Sequence, residues 1–569
     1  MHTPSASPAD IAGLSLAALE FAVRVDSQSD ESSQTIPSTA SQRALAAAVA
    51  ERLAGMGAAV ETDEHANVIA RLAGRGLGAD KPPVAFMVHL DTSRGTQAVE
   101  GLEVLPGWDG SAIPYSENEA LRVDVANYPE VADYVGQDVV FGPGRAPFGL
   151  DNKLGLAHVM TLASLLAQNP AIDHPPLLLV ARPDEEIGRM AAVEGLAARF
   201  AAEGVPLGYT VDGLLPFEVN VENFNAARMS LWFEDEPLDR HDDETRAPHN
   251  AEPREPRDAE SQSQSPDNAQ ALVRVHLGGV NTHGATAKAE GYRAATRLGA
   301  ELVRWLEDRR LVPDRIVPVG FASDALRDCD AGTEWLVRGT GEEGIAEATR
   351  LLADGAKAIV APHVPRGASW RVDAPVVIGR DDGKGEYSRA TWRMLAWVER
   401  FMASEPGFLL LAEDSDGHDG YTNPYRALPA GGGVRLDLRL RDFGEAGLAG
   451  RADHVRHLAR EADIRRVEYE PQYVNMGPRV AGHPELIAWP QAAAMAIGRE
   501  APVLPIRGGT GVDPFLDRGI PIANLGTGYF APESEKEFTS LQSMAGHALW
   551  LVALVQILAR ELPVREAAG

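Results

Sequence analysis

Two apolar runs, VAFMVHLDTS at 84–93 and PPLLLVARPDEE at 175–186, are too continuous to alternate between a core and solvent, and each stops on charged residues. Runs of this length predict strands buried on both faces, as in a sheet covered by crossover helices. Between them, KLGLAHVMTLASLLAQ (153–168) has the length and composition of a helix. Residues 15–24 and 41–55 also show helical spacing and are rich in Ala and Leu, with a Ser/Thr/Gln-rich loop separating them. In such an α/β sheet, ligand sites gather at the carboxyl ends of the strands, where His89, Asp91, Asp184, Glu185 and Glu186 fall. Three acids at the end of a buried strand need solvent, protons or a positive partner, because an isolated buried charge is too costly to keep.

From ALVRVHLGGVNTHG (271–284) to VRLDLRLRDF (434–443), strand-like and helix-like pieces alternate again. This predicts a second α/β layer domain inserted into the first. The expected division is 1–226 for the first part of the catalytic domain, 227–443 for the insert and 444–569 for the return. PVLPIRGGTGVDPF and IPIANLGTGYF then supply short strands and Gly-rich turns suited to the rim of a site. The stretch 234–270 carries 12 acids against 4 arginines, with several prolines, and reads as a mobile surface insertion. Its HDDETRAPH lacks the spacing of a zinc-binding HExxH helix. ALWLVALVQILA (548–559) falls short of the roughly 20 residues of a membrane span and reads as a core-packed final helix.

Composition narrows the function. A formal net charge of -29 opposes a nucleic-acid or anionic-membrane partner, since both recruit clustered Lys and Arg. The single cysteine, Cys329, allows no intrachain disulfide and fits a reducing compartment. The N-terminal MHTPSASPADIAG has no basic region followed by an apolar core, so a cytoplasmic location is expected.

His89 and Asp91 are two apart on a strand and leave the same face, the arrangement of a metal ligand and the group that orients it. Asp151 enters a helix in FGLDNKLG, and Asp212 closes an apolar stretch in YTVDG. Each has an ordinary reading by itself: Asp151 as a helix cap, Asp212 as a strand-end turn. Their order along the chain changes the weighing. HLD, LDNKLG, PDEEIG, TVDG, VNTHGATAKAEG and RGGTG follow one another, and in this the chain resembles the peptidase T family of the dinuclear zinc aminoacylase and carboxypeptidase superfamily. LRLRDF, IPIANLGTGY and KEF extend the likeness from about residue 15 to 560, with the acidic insertion and an extra block at about 310–410 interrupting it.

The resemblance implies an α/β zinc-peptidase-like catalytic domain, its central mixed sheet flanked by helices on both faces, with an inserted lid and dimerisation domain. It also implies two zinc ions, with cobalt or manganese as substitutes. Asp151 would bridge them, His89 and Asp212 would complete one, and Glu186 would serve the other. Glu185 would be the general base, Asp91 would hold the His89 imidazole, and His283 would stabilise the oxyanion. Arg441 and Arg507 would bind a substrate carboxylate, with Arg439 as an alternative to Arg441. Asn524 and Gly508 to Thr510 would line the pocket. A small peptide or N-acyl amino acid is the implied substrate, and a homodimer through the lid domain is the implied assembly.

Where the family places a last histidine ligand, this chain has GYFAPESEKEF (528–538), without histidine. Counting back from Glu537 and Phe538 puts Glu533 on that position, and a shifted gap would put Ala531 or Pro532 there. A carboxylate replaces an imidazole around zinc at the cost of one more negative charge. The expected activity is metal-dependent cleavage of amide bonds in small peptides. The alternatives are a catalytically degenerate binding relative and a deacylase or carbamoyl-amide hydrolase.

Overall fold

Strand Val84–His89 lies between Leu177–Arg182 and Gly208–Gly213 and runs parallel to both. All six residues of Val84–His89 and of Leu177–Arg182 are buried, the burial that their unbroken apolar runs require. The computed structural model describes residues 1–234, 268–281, 290–324, 327–380, 389–404, 420–506 and 508–565. Most of the acidic stretch expected at 234–270 lies outside the described residues, as do His283 and Arg507.

The main sheet has seven strands, in the spatial order Ala59–Thr62, Val68–Leu72, Leu177–Arg182, Val84–His89, Gly208–Gly213, Ile522–Gly526 and Val219–Asn220. The middle pairings are parallel and the outer ones antiparallel, so the sheet is mixed, as expected. Helices Pro8–Val23, Leu150–Gln168 and Leu541–Glu561 pack on one another in its apolar core. Leu541–Glu561 is longer than its apolar run suggested: at 21 residues it has the length and apolarity of a membrane span, yet 78% of that stretch is buried within the protein. Gly155, in Leu150–Gln168, permits a close approach of helix to sheet. A Cβ there would stand 2.1 Å from the Val211 carbonyl oxygen.

Two antiparallel sheets form the second unit. One pairs Ile316–Ser323, Asp330–Thr340 and Asn268–Gly278, with Ser369–Val372 and Val376–Arg380 sharing the far edge of Asn268–Gly278. The block at 310–410 thus supplies four of the five strands of this sheet. The other sheet runs Tyr421–Ala430, Gly433–Asp442, Asn225–Phe233 and Val467–Tyr473. Both share one core with helices Ala295–Glu307, Gly341–Val360, Ala390–Met402 and Glu445–Glu461. The boundary expected at 443 falls inside this unit: Glu445–Glu461 contributes to its core, Val467–Tyr473 pairs with Asn225–Phe233, and the chain leaves it only after Tyr473.

A small sheet of Glu103–Leu105, Val139–Phe141 and Phe538–Ser540 carries an aromatic cluster that includes Trp108, Tyr134, Phe530 and Phe538. Phe530 and Phe538 pack with ring centroids 5.3 Å apart and pin both ends of the loop between them, which holds Glu533.

Candidate metal centre

His89 ends one central strand, Asp212 lies near the end of its parallel neighbour, and Glu185 and Glu186 follow Leu177–Arg182 on the other side. Adjacent parallel strands that end together place these groups at one edge of the sheet. Asp151 enters from the first turn of Leu150–Gln168, where its backbone departs from helical angles (ψ 108°). His89 Nε2 lies 3.0 Å from Asp151 Oδ1 and 3.5 Å from Asp212 Oδ1.

Two groups of donor atoms result, His89 with Asp151 and Asp212, and Asp151 with Glu186 and Glu533. Within each group the atoms lie within 4.8 Å of one another. Asp151 belongs to both, the geometry of a bridging carboxylate. Of the three residues that counting left open for the missing histidine, Glu533 is the one brought into the cluster.

The electrostatics suit a cation among these groups. Burial, with Glu533 and Asp151 adding to it, pushes the Glu186 carboxyl well above its ordinary range. Burial also raises Asp212, against the pull of His89. Burial opposes protonation of His89, but Asp212, Asp151 and Asp91 outweigh it and hold the imidazole well above its usual value. Buried Glu186 Oε1 accepts no hydrogen bond among the described residues. Close carboxylates, a buried imidazole and an orphaned oxygen fit divalent cations, and a donor set of oxygen and nitrogen without thiolate suits zinc, cobalt or manganese.

Glu185 lines the same cavity, with Oε1 3.5 Å from Arg182 Nη2. Burial lifts its carboxyl to about 7 although Arg182 and His89 pull it down. Arg182 is held in turn by the carbonyl oxygens of Thr510 at 2.7 Å and Gly511 at 2.9 Å. Asp91 meets the His89 imidazole, as expected, and does more besides. Its carboxylate accepts the backbone N–H groups of Glu185 at 2.9 Å and Glu186 at 3.0 Å, while His89 Nδ1 meets the Asp91 carbonyl oxygen at 2.8 Å and the carboxylate only at 3.5 Å. Asp184 faces away from the site and receives the Ser38 N–H at 2.8 Å and Gln42 Nε2 at 2.8 Å.

The cluster opens on a cavity of about 310 Å³. Arg439 and Arg441 reach it from strand Gly433–Asp442, and Gly508, Gly509 and Gly511 form another part of its wall. Arg441 donates to the carbonyl oxygen of Leu440 at 2.9 Å, lies over the Tyr473 ring, and has no acidic partner among the described residues. The expectation for Asn524 is corrected. It points into the sheet, accepting from the Thr210 hydroxyl at 2.7 Å and donating to Asn220 Oδ1 at 3.0 Å, and it is not among the cavity residues.

Sequence reasoning missed two groups. The Tyr529 hydroxyl donates to Asp151 Oδ2 at 3.1 Å. Buried Glu537 accepts the N–H groups of Phe148, Gly149 and Leu150 on Oε2, at 2.9 to 3.3 Å, and the N–H of Glu533 on Oε1 at 3.0 Å. It therefore clamps the loop before Asp151 to the loop that carries Glu533. KEF in the sequence marked its position but gave no sign of this role.

The turn after Asp212 rests on Glu218, whose Oε1 accepts the N–H groups of Leu214 at 2.8 Å and Leu215 at 3.0 Å. Burial drives this carboxyl to about 7 from an ordinary 4.5, with those N–H groups and Asn220 only partly offsetting it. A raised folded-state value gives stability that is present at low pH and is lost as pH climbs from 4.5 through about 7. Wild type is therefore expected to lose about 3 kcal/mol relative to Glu218→Gln between pH 5 and pH 8. Urea unfolding of both proteins at the two pH values measures this, and a constant difference would show that Glu218 ionises normally.

The fold and this double cluster define a two-unit α/β protein with a candidate dinuclear metal site. Its curated homologues are named peptidase T. It is 35% identical over 214 residues to that of Geobacillus sp. (strain WCH70), which is 37% of this chain and 51% of the relative. The match to that of Bacillus licheniformis is 36% over 213 residues, 37% of this chain and 50% of the relative. The chain spans about half the length of the curated relatives it matches. No family model matches. Among solved structures, aminopeptidase PepT from Bacillus cereus ATCC 10987 aligns over 96% of this chain and 99% of its own, with a TM-score of 0.42 and 13% identity. Aminoacylhistidine dipeptidase from Vibrio alginolyticus aligns over 99% and 98%, with a TM-score of 0.47 and 14% identity.

Proposed function

We propose that this chain is a metal-dependent hydrolase of amide bonds in small peptides, an aminopeptidase of the type its curated homologues are named for. The observation that carries the reading is the sharing of Asp151 by two donor groups, with Glu185 beside them on a cavity that also holds Arg441. His89, Asp151 and Asp212 would hold one ion, and Asp151, Glu186 and Glu533 the other. Bound there, two divalent ions, zinc for preference, would offset the carboxylates and acidify a water molecule.

The chain's own groups supply the rest. Glu185, lifted to about 7, accepts the proton of the attacking water and returns it to the leaving nitrogen, a task suited to a group that titrates near neutrality. Asp91 fixes the backbone of Glu185 and Glu186 and so sets where both carboxylates point. Arg441 offers its guanidinium fork to a substrate carboxylate. His283 keeps its proposed oxyanion role, and Arg507 its proposed carboxylate role. The enzyme's place is the cytoplasm, a reading supported by the presence of one cysteine, Cys329, in 569 residues. A homodimer through the second unit is compatible with this mechanism but not required by it, because Arg439 and Arg441 already wall the cavity from the same chain.

Metal analysis of purified protein is expected to give two ions per chain. Chelation should abolish hydrolysis of a tripeptide panel, and added zinc, cobalt or manganese should restore it. Protein that binds two ions yet cleaves no peptide would favour the deacylase, and protein that binds none would favour the binding relative.

A further inference from the structure

The cavity over the donor cluster has a second lobe of about 100 Å³, whose walls include Ser29, Ser93, Arg94, Arg327 and Asp328. Glu31, Glu186, Arg439 and Glu533 border both lobes, so two of the candidate metal ligands, Glu186 and Glu533, stand between them. An amide bond held at Glu186 and Glu533 would have one side facing each lobe. Arg441, with no acidic partner among the described residues, marks the large lobe for the carboxyl-terminal side, which leaves the small lobe for the amino-terminal residue.

Outside the ligand cluster the small lobe sets two carboxylates, Glu31 and Asp328, against the guanidiniums of Arg94, Arg327 and Arg439. Asp328 is shared by three guanidiniums: Arg439 meets Oδ2 at 3.3 Å, and Arg94 and Arg426 approach Oδ1 at 3.9 Å. Arg426 has other partners in Asp437 at 3.2 Å and Glu31 at 3.4 Å. Arg94 and Arg439, with side chains 33% and 35% exposed, thus divide one carboxylate between them. Glu31 registers the resulting field. Burial would raise its carboxyl, yet Arg426, Arg94, Arg439 and Arg228 together hold it below its ordinary value. Two arginine forks that share one acid retain donors for a second, and forked guanidinium donors match a carboxylate in shape as well as charge.

We propose that the small lobe is a subsite for a carboxylate-bearing side chain, so that the preferred peptides begin with an acidic residue. This rests on the hydrolase reading above. Hydrolysis of Asp-Gly-Gly and its uncharged isostere Asn-Gly-Gly, and of the Glu and Gln pair, tests it. The kcat/KM ratio of acid to amide is expected to be at least ten-fold in the wild type and to fall toward one in Arg94→Met and Arg439→Met. A wild-type ratio near one, or a ratio that both variants leave unaltered, overturns the subsite while leaving the hydrolase intact. Calorimetric binding of the same peptides to the metal-loaded Glu185→Gln protein reads the subsite without turnover. Tighter binding of the acidic peptide supports the proposal even where no peptide is cleaved by the wild type, and equal binding overturns it.

Discussion

Glu185→Gln is expected to lower kcat by about 10²–10⁴-fold while both metal ions remain bound and KM changes little. The amide fills the same space and keeps a polar contact toward Arg182, whose guanidinium stays anchored on the carbonyl oxygens of Thr510 and Gly511. Only proton transfer is lost. Burial raises the Glu185 carboxyl and bound divalent cations would lower it, so the wild-type pH profile should show an acid limb set by this group, and that limb should vanish in the variant. Steady-state kinetics with parallel metal analysis decide the matter. A variant that keeps its rate places the proton transfer elsewhere, and one that loses its metal makes Glu185 part of the ligand set.

The second large effect is expected at Glu537. Replacement by alanine strands four backbone N–H groups that now point at one carboxylate, and each buried unpaired group costs about 1–3 kcal/mol before water and relaxation recover part of it. A loss of about 3–5 kcal/mol is therefore expected for Glu537→Ala, read as a lowered midpoint in denaturant. Glu537→Gln separates stability from function. Its amide oxygen serves one of the two loops and its amino group faces the other, so the fold persists while the Glu533 loop loosens. The variant should retain the ion held by His89 and Asp212 and release the one that needs Glu533, giving about half the wild-type metal content. Full metal content in Glu537→Gln would show that the loop holds its position without the clamp.

The parts of this site that could be read from sequence are those in which local pattern and function coincide. The runs at 84–93 and 175–186 gave buried parallel strands because a strand covered on both faces must be apolar at every position, and the polar residues that end them had to reach the sheet edge. Counting back from Glu537 and Phe538 against the family pattern pointed to Glu533, and the structure brings its carboxylate near Asp151 and Glu186. Asn524 was misplaced because its position came from the resemblance alone, and its partners Thr210 and Asn220 come from other strands. The clamp at Glu537 joins positions almost 400 residues apart, a relation that no local period encodes. The boundary after 443 failed for a similar reason: Val467–Tyr473 belongs to the second unit through pairing with Asn225–Phe233, and its exposed, mixed residues carry no mark of that partner.

The loop of Glu533 is also tied to the second unit. Lys536 Nζ donates to the Asn281 carbonyl oxygen at 2.8 Å and lies 3.6 Å from Glu290, and Asn281 Nδ2 donates back to the Glu533 carbonyl oxygen. A swing of the second unit away from the first would pull on the same backbone that presents Glu533. With the proposed ions and peptide bound, widening the cleft and loosening the ion at Glu533 would be mechanically a single event, and an occupant that draws the two units together would slow the escape of that ion.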